Sequence, residues 1–223
     1  MITIELRGVW HRYPSTSNWV VKDVSVTFSS GKLILVSGHN GSGKTTLLKI
    51  ASLLYKPWRG EVIVDGYNFW EMNENEKIKI RRKITYVHEK PILLHGSVFE
   101  NVAYSLRIRG FNQHDAVKKA ENIMEELELI ELSYKSSREL SAGQSQLVAI
   151  ARALVIDPEL ILLDEPFAHL DTRKSELLIQ ALKVRKKSGV GIVLASHSRD
   201  KLLEGLDPDE IILLEGGQVI SRY

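Results

Sequence analysis

The sequence predicts an α/β fold: a mixed core with an antiparallel β subdomain at its N-terminus and a helical subdomain inserted near its middle. Three observations predict it. Within the first thirty residues Ile2, Ile4 and Leu6 alternate with polar neighbours, as in a half-buried strand, and Val20, Val24 and Val26 lie in a second β-rich run. Short, nearly continuous apolar runs at Lys32–Ser37, Leu160–Leu163 and Gly191–Ala195 read as strands covered on both faces. Helical periodicity dominates residues 92 to 158.

At 223 residues the chain is large enough to bury an extensive core, and its 43% hydrophobic and 26% charged content is that of a globular protein. It contains no cysteine, which excludes a disulfide framework, a thiolate metal site and a cysteine nucleophile. Thirty basic against 28 acidic residues leave a net charge of +2, too balanced for nucleic-acid binding by bulk charge, so no nucleic-acid partner is expected. No run reaches the roughly 18 apolar residues of a membrane span. The opening Met-Ile-Thr-Ile-Glu-Leu-Arg interrupts its apolar residues with charges, unlike a secretory signal. A cytoplasmic location follows as the expectation.

In chain order, Ile2, Ile4 and Leu6 mark a first strand, and Val20, Val24 and Val26 a second. Lys32–Ser37 runs into a Gly-rich loop, after which Leu47, Leu48, Ala51 and Leu54 fall on one helical face. Glu61–Val64 reads as a strand closed by the Asp65-Gly66 turn, and Ile84–Val87 as another strand. Val117, Ala120, Ile123, Met124, Leu127 and Ile130 give the clearest helical stripe of the insertion, about 92–140. The acidic residues beside it (Glu121, Glu125, Glu126, Glu128 and Glu131) read as a solvated face. The basic run Lys183–Lys187 ends a helix, where positive charge complements the dipole. Leu160–Leu163, Gly191–Ala195 and Glu210–Leu214 supply the late strands, and Glu215-Gly216-Gly217 turns into a terminal hairpin through Gln218–Ile220. We read residues 1–223 as one domain, its core formed by 1–91 and 141–223.

Two motifs carry chemistry. Residues Gly38, His39, Asn40, Gly41, Ser42, Gly43, Lys44 and Thr45 fit G-x-x-x-x-G-K-[ST], after an apolar strand and at the start of a helix, with Thr46 next. Glycines there let backbone N–H groups turn toward phosphate oxygens, and the helix N-terminus adds a favourable dipole. Lys44 reaches the β- and γ-phosphates, and the Thr45 hydroxyl suits Mg²⁺. The second motif is Asp164-Glu165, two acids closing the apolar run Leu160–Leu163. Asp164 suits an outer-shell Mg²⁺ role and Glu165 is placed to polarise an attacking water. Together they define the core of a P-loop NTPase.

Leu140-Ser141-Ala142-Gly143-Gln144, followed by a helical run through Leu154, resembles the signature of ATP-binding-cassette (ABC) ATPases, and the resemblance extends in order over the whole chain. It implies an ATP-hydrolysing transporter subunit with ATP and Mg²⁺ as cofactors. Ser141, Gly143 and Gln144 would bind the γ-phosphate held by an opposite subunit, two subunits sandwiching two ATP molecules head-to-tail as a homodimer. Tyr13 lies where the family stacks an aromatic ring on adenine. Leu170-Asp171 resembles the end of the D-loop, although Ala168-His169 stands where Ser-Ala is commoner, and Asp171 is carried as a nucleotide-site residue. His197 matches the switch histidine that hydrogen-bonds the γ-phosphate. Lys44, Glu165 and His197 are thereby the expected catalytic group.

The sequence departs from the family at two places. Glu89 stands where a metal-coordinating glutamine is usual, and either ligates Mg²⁺ with Thr45 and Asp164, the reading preferred here, or swings toward Lys90 or Arg82. Leu147 stands where arginine is common. No two histidines have ligand spacing, so a histidine metal site is set aside. The implied partners are integral-membrane permease subunits, which place the chain peripherally on the inner face of the membrane, and an external substrate-binding protein. The expected docking surface is the helical insertion with Ile92, Leu93, Leu94, Val98 and Phe99. A cassette without spans resembles the prokaryotic importer arrangement, as does Val98-Phe99-Glu100-Asn101-Val102. The alternative is a non-transport ABC ATPase. A translation factor would carry two cassettes, and a DNA-repair clamp a long coiled coil. The transported substrate is not legible.

Overall fold

The computed structural model describes residues 1–197 and 205–223. The described elements follow the order β1 (Thr3–His11), β2 (Val21–Ser29), β3 (Leu33–Ser37), α1 (Lys44–Ala51), β4 (Arg59–Val64), β5 (Tyr67–Asn68), α2 (Glu74–Arg81) and β6 (Ile84–Val87). Then come α3 (Val98–Arg107), α4 (Gln113–Glu126), α5 (Ala142–Leu154), β7 (Leu160–Asp164), α6 (Thr172–Lys187), β8 (Gly191–Ser196), β9 (Glu210–Glu215) and β10 (Gln218–Arg222).

The alternating N-terminal segments form an antiparallel sheet of order β2-β1-β4-β5, with Thr3 opposite Ser29 and Ile4 opposite Val64. Ile2, Ile4, Leu6 and Val9 point into the core, as the sequence alternation requires. The apolar runs form a second sheet of order β10-β9-β3-β8-β7-β6, parallel except for β10. Every residue of β3, β7 and β8 is buried, because both faces of this sheet are covered. Leu33, Leu35, Ile161, Leu163, Ile192 and Leu194 join one core with α3, α4, α5 and α6. Their alternates Ile34, Val36, Leu160, Leu162, Val193 and Ala195 join a second core with α1 and the N-terminal sheet. The inserted helices therefore share their core with α5 and α6.

Most expected elements appear with longer ends, and five details differ. Helix α1 stops at Ala51, so Leu54 lies beyond it and is 52% exposed. Val20 precedes β2 and is half-buried. Ile130 falls in a 3-10 turn rather than on α4 and is partly exposed. Two of the acidic side chains beside α4 are paired: Glu126 with Arg185 and Glu128 with Arg173. Helix α2 was not signalled by hydrophobic periodicity, since it buries nothing; Asn73 and Glu76 start it with a reciprocal capping box. Arg185, Lys186 and Lys187 do close α6, against its carbonyl end. Among the described residues no helix is long and apolar enough to cross a membrane.

Candidate active site

The site begins where β3 ends at the middle of the parallel sheet, between β9 and β8. Such a strand end faces a crevice rather than another element. The chain turns through Gly38 to Gly43 into α1, whose N-cap Gly43 has φ 106° and supplies no side-chain cap. The first N–H groups of α1 are thus left for an outside acceptor. A side chain is excluded at Gly43, because a Cβ would lie 2.7 Å from the Val20 carbonyl oxygen in a backbone conformation that L residues avoid. Lys44 is buried, and its Nζ donates to the carbonyls of Gly38 at 2.7 Å and His39 at 3.3 Å.

The acids arrive from β7. Asp164, 1% exposed, ends the strand; its Oδ2 accepts a hydrogen bond from the Tyr86 hydroxyl at 2.9 Å, while its Oδ1 has no partner. Burial and the neighbouring carboxylate push the Tyr86 phenol well above its ordinary range, so it remains a donor. Glu165 leaves the strand at φ 46°, in the left-handed region, with its N–H on the Ala195 carbonyl at 3.0 Å. That conformation costs about 1–3 kcal/mol in a residue with a Cβ and persists only where the surroundings impose it. It turns the carboxylate back over the loop: Oε1 lies 3.5 Å from Lys44 Nζ, an ion pair too long for a hydrogen bond, and Oε2 lies 3.0 Å from His197 Nδ1. Lys44, Glu165 and His197, far apart in sequence, therefore meet. They line one pocket of about 320 Å³ with Asn40, Gly41, Ser42, Gly43, Thr45, Thr46 and Glu89. A cation for phosphate, a carboxylate able to take a proton from water and an imidazole beside it suit phosphoryl transfer to water.

Mg²⁺ takes oxygen ligands, and the donors here are of that kind. Thr45 lines the pocket; Asp164 does not, but it ends β7 immediately before Glu165, which does, and it keeps one buried oxygen unpartnered. Glu89 is exposed at the pocket mouth, and among the described residues neither Lys90 nor Arg82 pairs with it. Among the described residues no cluster of three or more His, Cys, Asp or Glu side chains is present, so such an ion would draw its other ligands from phosphate and water.

Tyr13 sits above the loop with its hydroxyl 2.9 Å from Thr46 Oγ1 and its ring edge-on to Tyr55. The segment that carries it is clamped: the Arg12 guanidinium lies 4.9 Å from the Trp19 ring and 5.1 Å from the Trp58 ring, and Trp58 Nε1 donates to the Arg12 carbonyl. His11 stacks on Tyr55, and burial lowers its pKa.

The remaining expected nucleotide residues lie elsewhere. Ser141 caps α5: its Oγ accepts from Gln144 N–H at 3.2 Å, and Gln144 Oε1 accepts from Ser141 N–H at 3.0 Å. Gly143 packs against the segment after Glu165, where a Cβ would lie 2.6 Å from the His169 carbonyl oxygen. Asp171 caps α6 through Lys174 N–H; the Lys174 contacts hold its carboxyl below the usual range. None of these four lines the pocket of Lys44. Leu147 is buried in the core shared with the sheet, so an arginine in that place would bury its charge at a cost.

The expected docking residues divide in the same way. Ile92 is 60% exposed and Leu94 partly so, and both line a groove with Tyr104 and Ile108 over a floor of Tyr86 and His88. Val98 is fully buried and Phe99 packs against the helical core, so neither lines the groove. Asn101 fixes Leu94 through both its N–H and its carbonyl, and Arg152 binds the Ile92 carbonyl. Tyr86 and the Arg12 clamp had no motif to announce them; each reads in sequence as an ordinary strand or loop residue.

The fold and the pocket define an ATPase of the phosphate-loop class. The profile of the ABC transporter family matches residues 21–168. The tungstate uptake system ATP-binding protein TupC of Peptoclostridium acidaminophilum is 39% identical over 196 residues, covering 87% of each chain. The phosphate import ATP-binding protein PstB 2 of Natronomonas pharaonis is 32% identical, over 98% of this chain and 78% of its own. The ATP-binding cassette MJ0796, solved as a dimer in a post-hydrolysis state bound to ADP and Pi, superposes with a TM-score of 0.89 at 30% identity over 99% of this chain and 97% of its own. The chain belongs to the ABC transporter family, as an ATP-binding and ATP-hydrolysing cassette.

Proposed function

We propose that this chain powers solute uptake through separate integral-membrane permease subunits, bound peripherally on the cytoplasmic face of the membrane. Mg-ATP closes a head-to-tail homodimer, and hydrolysis reopens it. The observation that carries this reading is the division of the expected nucleotide residues. Lys44, Thr45, Glu165 and His197 share one pocket, while Ser141, Gly143, Gln144 and Asp171 line none of it. A second copy turned head-to-tail would complete the site.

In each half, Lys44 and the N–H groups of α1 would hold the β- and γ-phosphates, and Tyr13 the adenine ring. Thr45, Asp164 and Glu89 would hold Mg²⁺, which, when bound, offsets the phosphate charge. Glu165 would take the proton of the attacking water. His197, beside the Glu165 carboxylate, would donate to the γ-phosphate, and Ser141 with the Gly143 N–H would bind that phosphate from the partner. Residues 1–91 and 141–223 would form the nucleotide-binding core. The insertion, about 92–140, would present the Ile92–Ile108 groove to a permease segment, with an external substrate-binding protein delivering the solute. Uptake and import stand in the names of the tungstate and phosphate relatives, which makes oxyanions the first substrates to try.

Glu165→Gln tests the dimer. The variant keeps the side chain's shape but accepts no proton, so it should bind ATP, lose hydrolysis by roughly 10²–10⁴-fold and elute as a stable dimer with Mg-ATP. A monomer with ATP demonstrably bound would overturn the sandwich. Co-purification with the membrane protein encoded beside it, and ATPase stimulated by oxyanion in vesicles, tests the transport assignment.

A further inference from the structure

Asp164 is set at the end of β7, and its neighbour strand decides what it meets. In the β6–β7 pairing Tyr86 lies opposite Leu162. Side chains two apart share a face, so Asp164 stands on the face of Tyr86, one diagonal step along. A tyrosine spans that step. Its hydroxyl donates to Oδ2 at 2.9 Å and leaves Oδ1 buried and unpartnered. The same ring packs edge-on to His88 at 4.6 Å between centroids, and both rings line the groove that Ile92 and Ile108 rim.

We propose that Tyr86 is a positioning residue for the metal-site carboxylate: its hydroxyl occupies one oxygen of Asp164 and so presents the other toward the phosphate loop, from a ring that also forms the floor of the apolar groove. A buried carboxylate with one donor has one preferred orientation. Without that donor its orientation is no longer fixed, which makes it a poorer partner for a hydrated divalent cation. Nothing about this role needs Tyr86 to touch nucleotide. It rests on the reading of Asp164 as a Mg²⁺ residue, and the test separates the two.

The experiment measures ATP affinity of the full chain by calorimetric titration, with Mg²⁺ and with EDTA, for wild type, Tyr86→Phe and Asp164→Asn. Phenylalanine keeps the ring, its packing on His88 and the groove floor, and removes only the hydroxyl. The expected result is metal-free affinity within about twofold of wild type and a loss of roughly five- to tenfold in the gain that Mg²⁺ confers, the scale of one ordinary hydrogen bond. A structural defect alone would lower both affinities together and depress Tm, so the split between the two titrations is the diagnostic. Should Asp164→Asn leave the Mg²⁺ gain intact, the metal reading of Asp164 fails, and this proposal with it. Should Asp164→Asn abolish the gain while Tyr86→Phe matches wild type in both titrations, the metal reading stands and the role of Tyr86 is refuted. Mn²⁺ in place of Mg²⁺, followed by its EPR signal in the nucleotide complex, gives a second readout independent of affinity: the Tyr86→Phe spectrum should differ from wild type, and an identical spectrum counts against the proposal.

Discussion

Helices α1 and α5 both start at segments marked for phosphate, and they start differently. Helix α1 begins at Gly43, whose backbone is left-handed and which offers no side chain to cap the first turn. Helix α5 begins at Ser141, whose hydroxyl and backbone are engaged with Gln144 in a complete capping box. Uncapped N–H groups beside a buried lysine form an anion site within one chain. A capped turn already has its first N–H groups engaged, so the Ser141 hydroxyl, which accepts from Gln144 in the cap, can offer another ligand only its own O–H. The phosphate loop is therefore built to bind alone, whereas the signature helix is stable without nucleotide and suits a ligand brought by a partner.

The largest expected effect comes from breaking the first helix's site. Lys44→Ala removes the cation that lies among the Gly38 and His39 carbonyls and Glu165. A charge-assisted contact of this kind contributes about 1.5–3 kcal/mol, so ATP affinity of the isolated chain should fall roughly 10- to 100-fold. Fluorescence titration with a labelled nucleotide measures it, and unchanged affinity would remove the phosphate-loop assignment.

Gly143→Ala attacks the second helix where it meets the segment that follows Glu165. Its Cβ would come 2.6 Å from the His169 carbonyl oxygen, so that backbone must move. The overpacking costs about 1–3 kcal/mol, a fall in Tm of several degrees for a chain of this size. ATPase should be lost, yet ATP affinity of the isolated chain should stay near wild type, because the Lys44 pocket does not include Gly143. A parallel loss of affinity would contradict the separation of the two helix starts.

Ser141 separates capping from ligand binding. Ser141→Ala loses the N-cap, worth about 1 kcal/mol, and Tm should drop by about 2–4 °C. Ser141→Asp keeps a good cap but sets a negative charge where a phosphate is expected. It should retain Tm and lose ATP-driven dimerisation, read by size-exclusion chromatography in the Glu165→Gln background. If both variants dimerise like the parent, Ser141 is a cap and nothing more.

The sequence reading succeeded where chemistry and periodicity are local. The phosphate loop, the acids ending β7 and the fully buried strands all follow from residue type and spacing within a dozen positions. It failed where the third dimension decides. Leu54 continues the helical stripe on paper, but α1 ends before it, and Val98 looked like docking surface although packing with α5 buries it. Helix α2 has no apolar face to give a period, though its Asn73–Glu76 cap was there to be read. Tyr86 became visible only through strand register, and the pairing of Glu165 with His197 only through the turn at φ 46° that folds the carboxylate back. The single-residue signature read for Gly143 was an anion contact, whereas the chain itself also requires glycine there for the close approach of His169.

The smallest effect should come from Glu89, at the mouth of the same pocket. Its carboxylate is exposed, lines the pocket with Thr45 and Lys44, and among the described residues makes no ion pair with Lys90 or Arg82. The alternative of a side chain tied back onto the loop thus has no partner there to support it. A carboxylate oxygen attracts Mg²⁺ more strongly than an amide carbonyl, but water screens an exposed group, which limits the difference to about 0.2–1 kcal/mol. Glu89→Gln should therefore raise the Mg²⁺ concentration for half-maximal ATPase by only about two- to fivefold. Maximal rate and ATP affinity in EDTA should stay near wild type, because the amide keeps one oxygen for the ion. The comparison with Tyr86→Phe sharpens the result: both weaken the metal's contribution, but only the Glu89 variant should become less sensitive to ionic strength, since only there does an exposed charge disappear. Superimposable Mg²⁺ curves for Glu89→Gln and wild type would show that Glu89 is a loop residue, and that Thr45, Asp164 and the phosphates hold the ion without it.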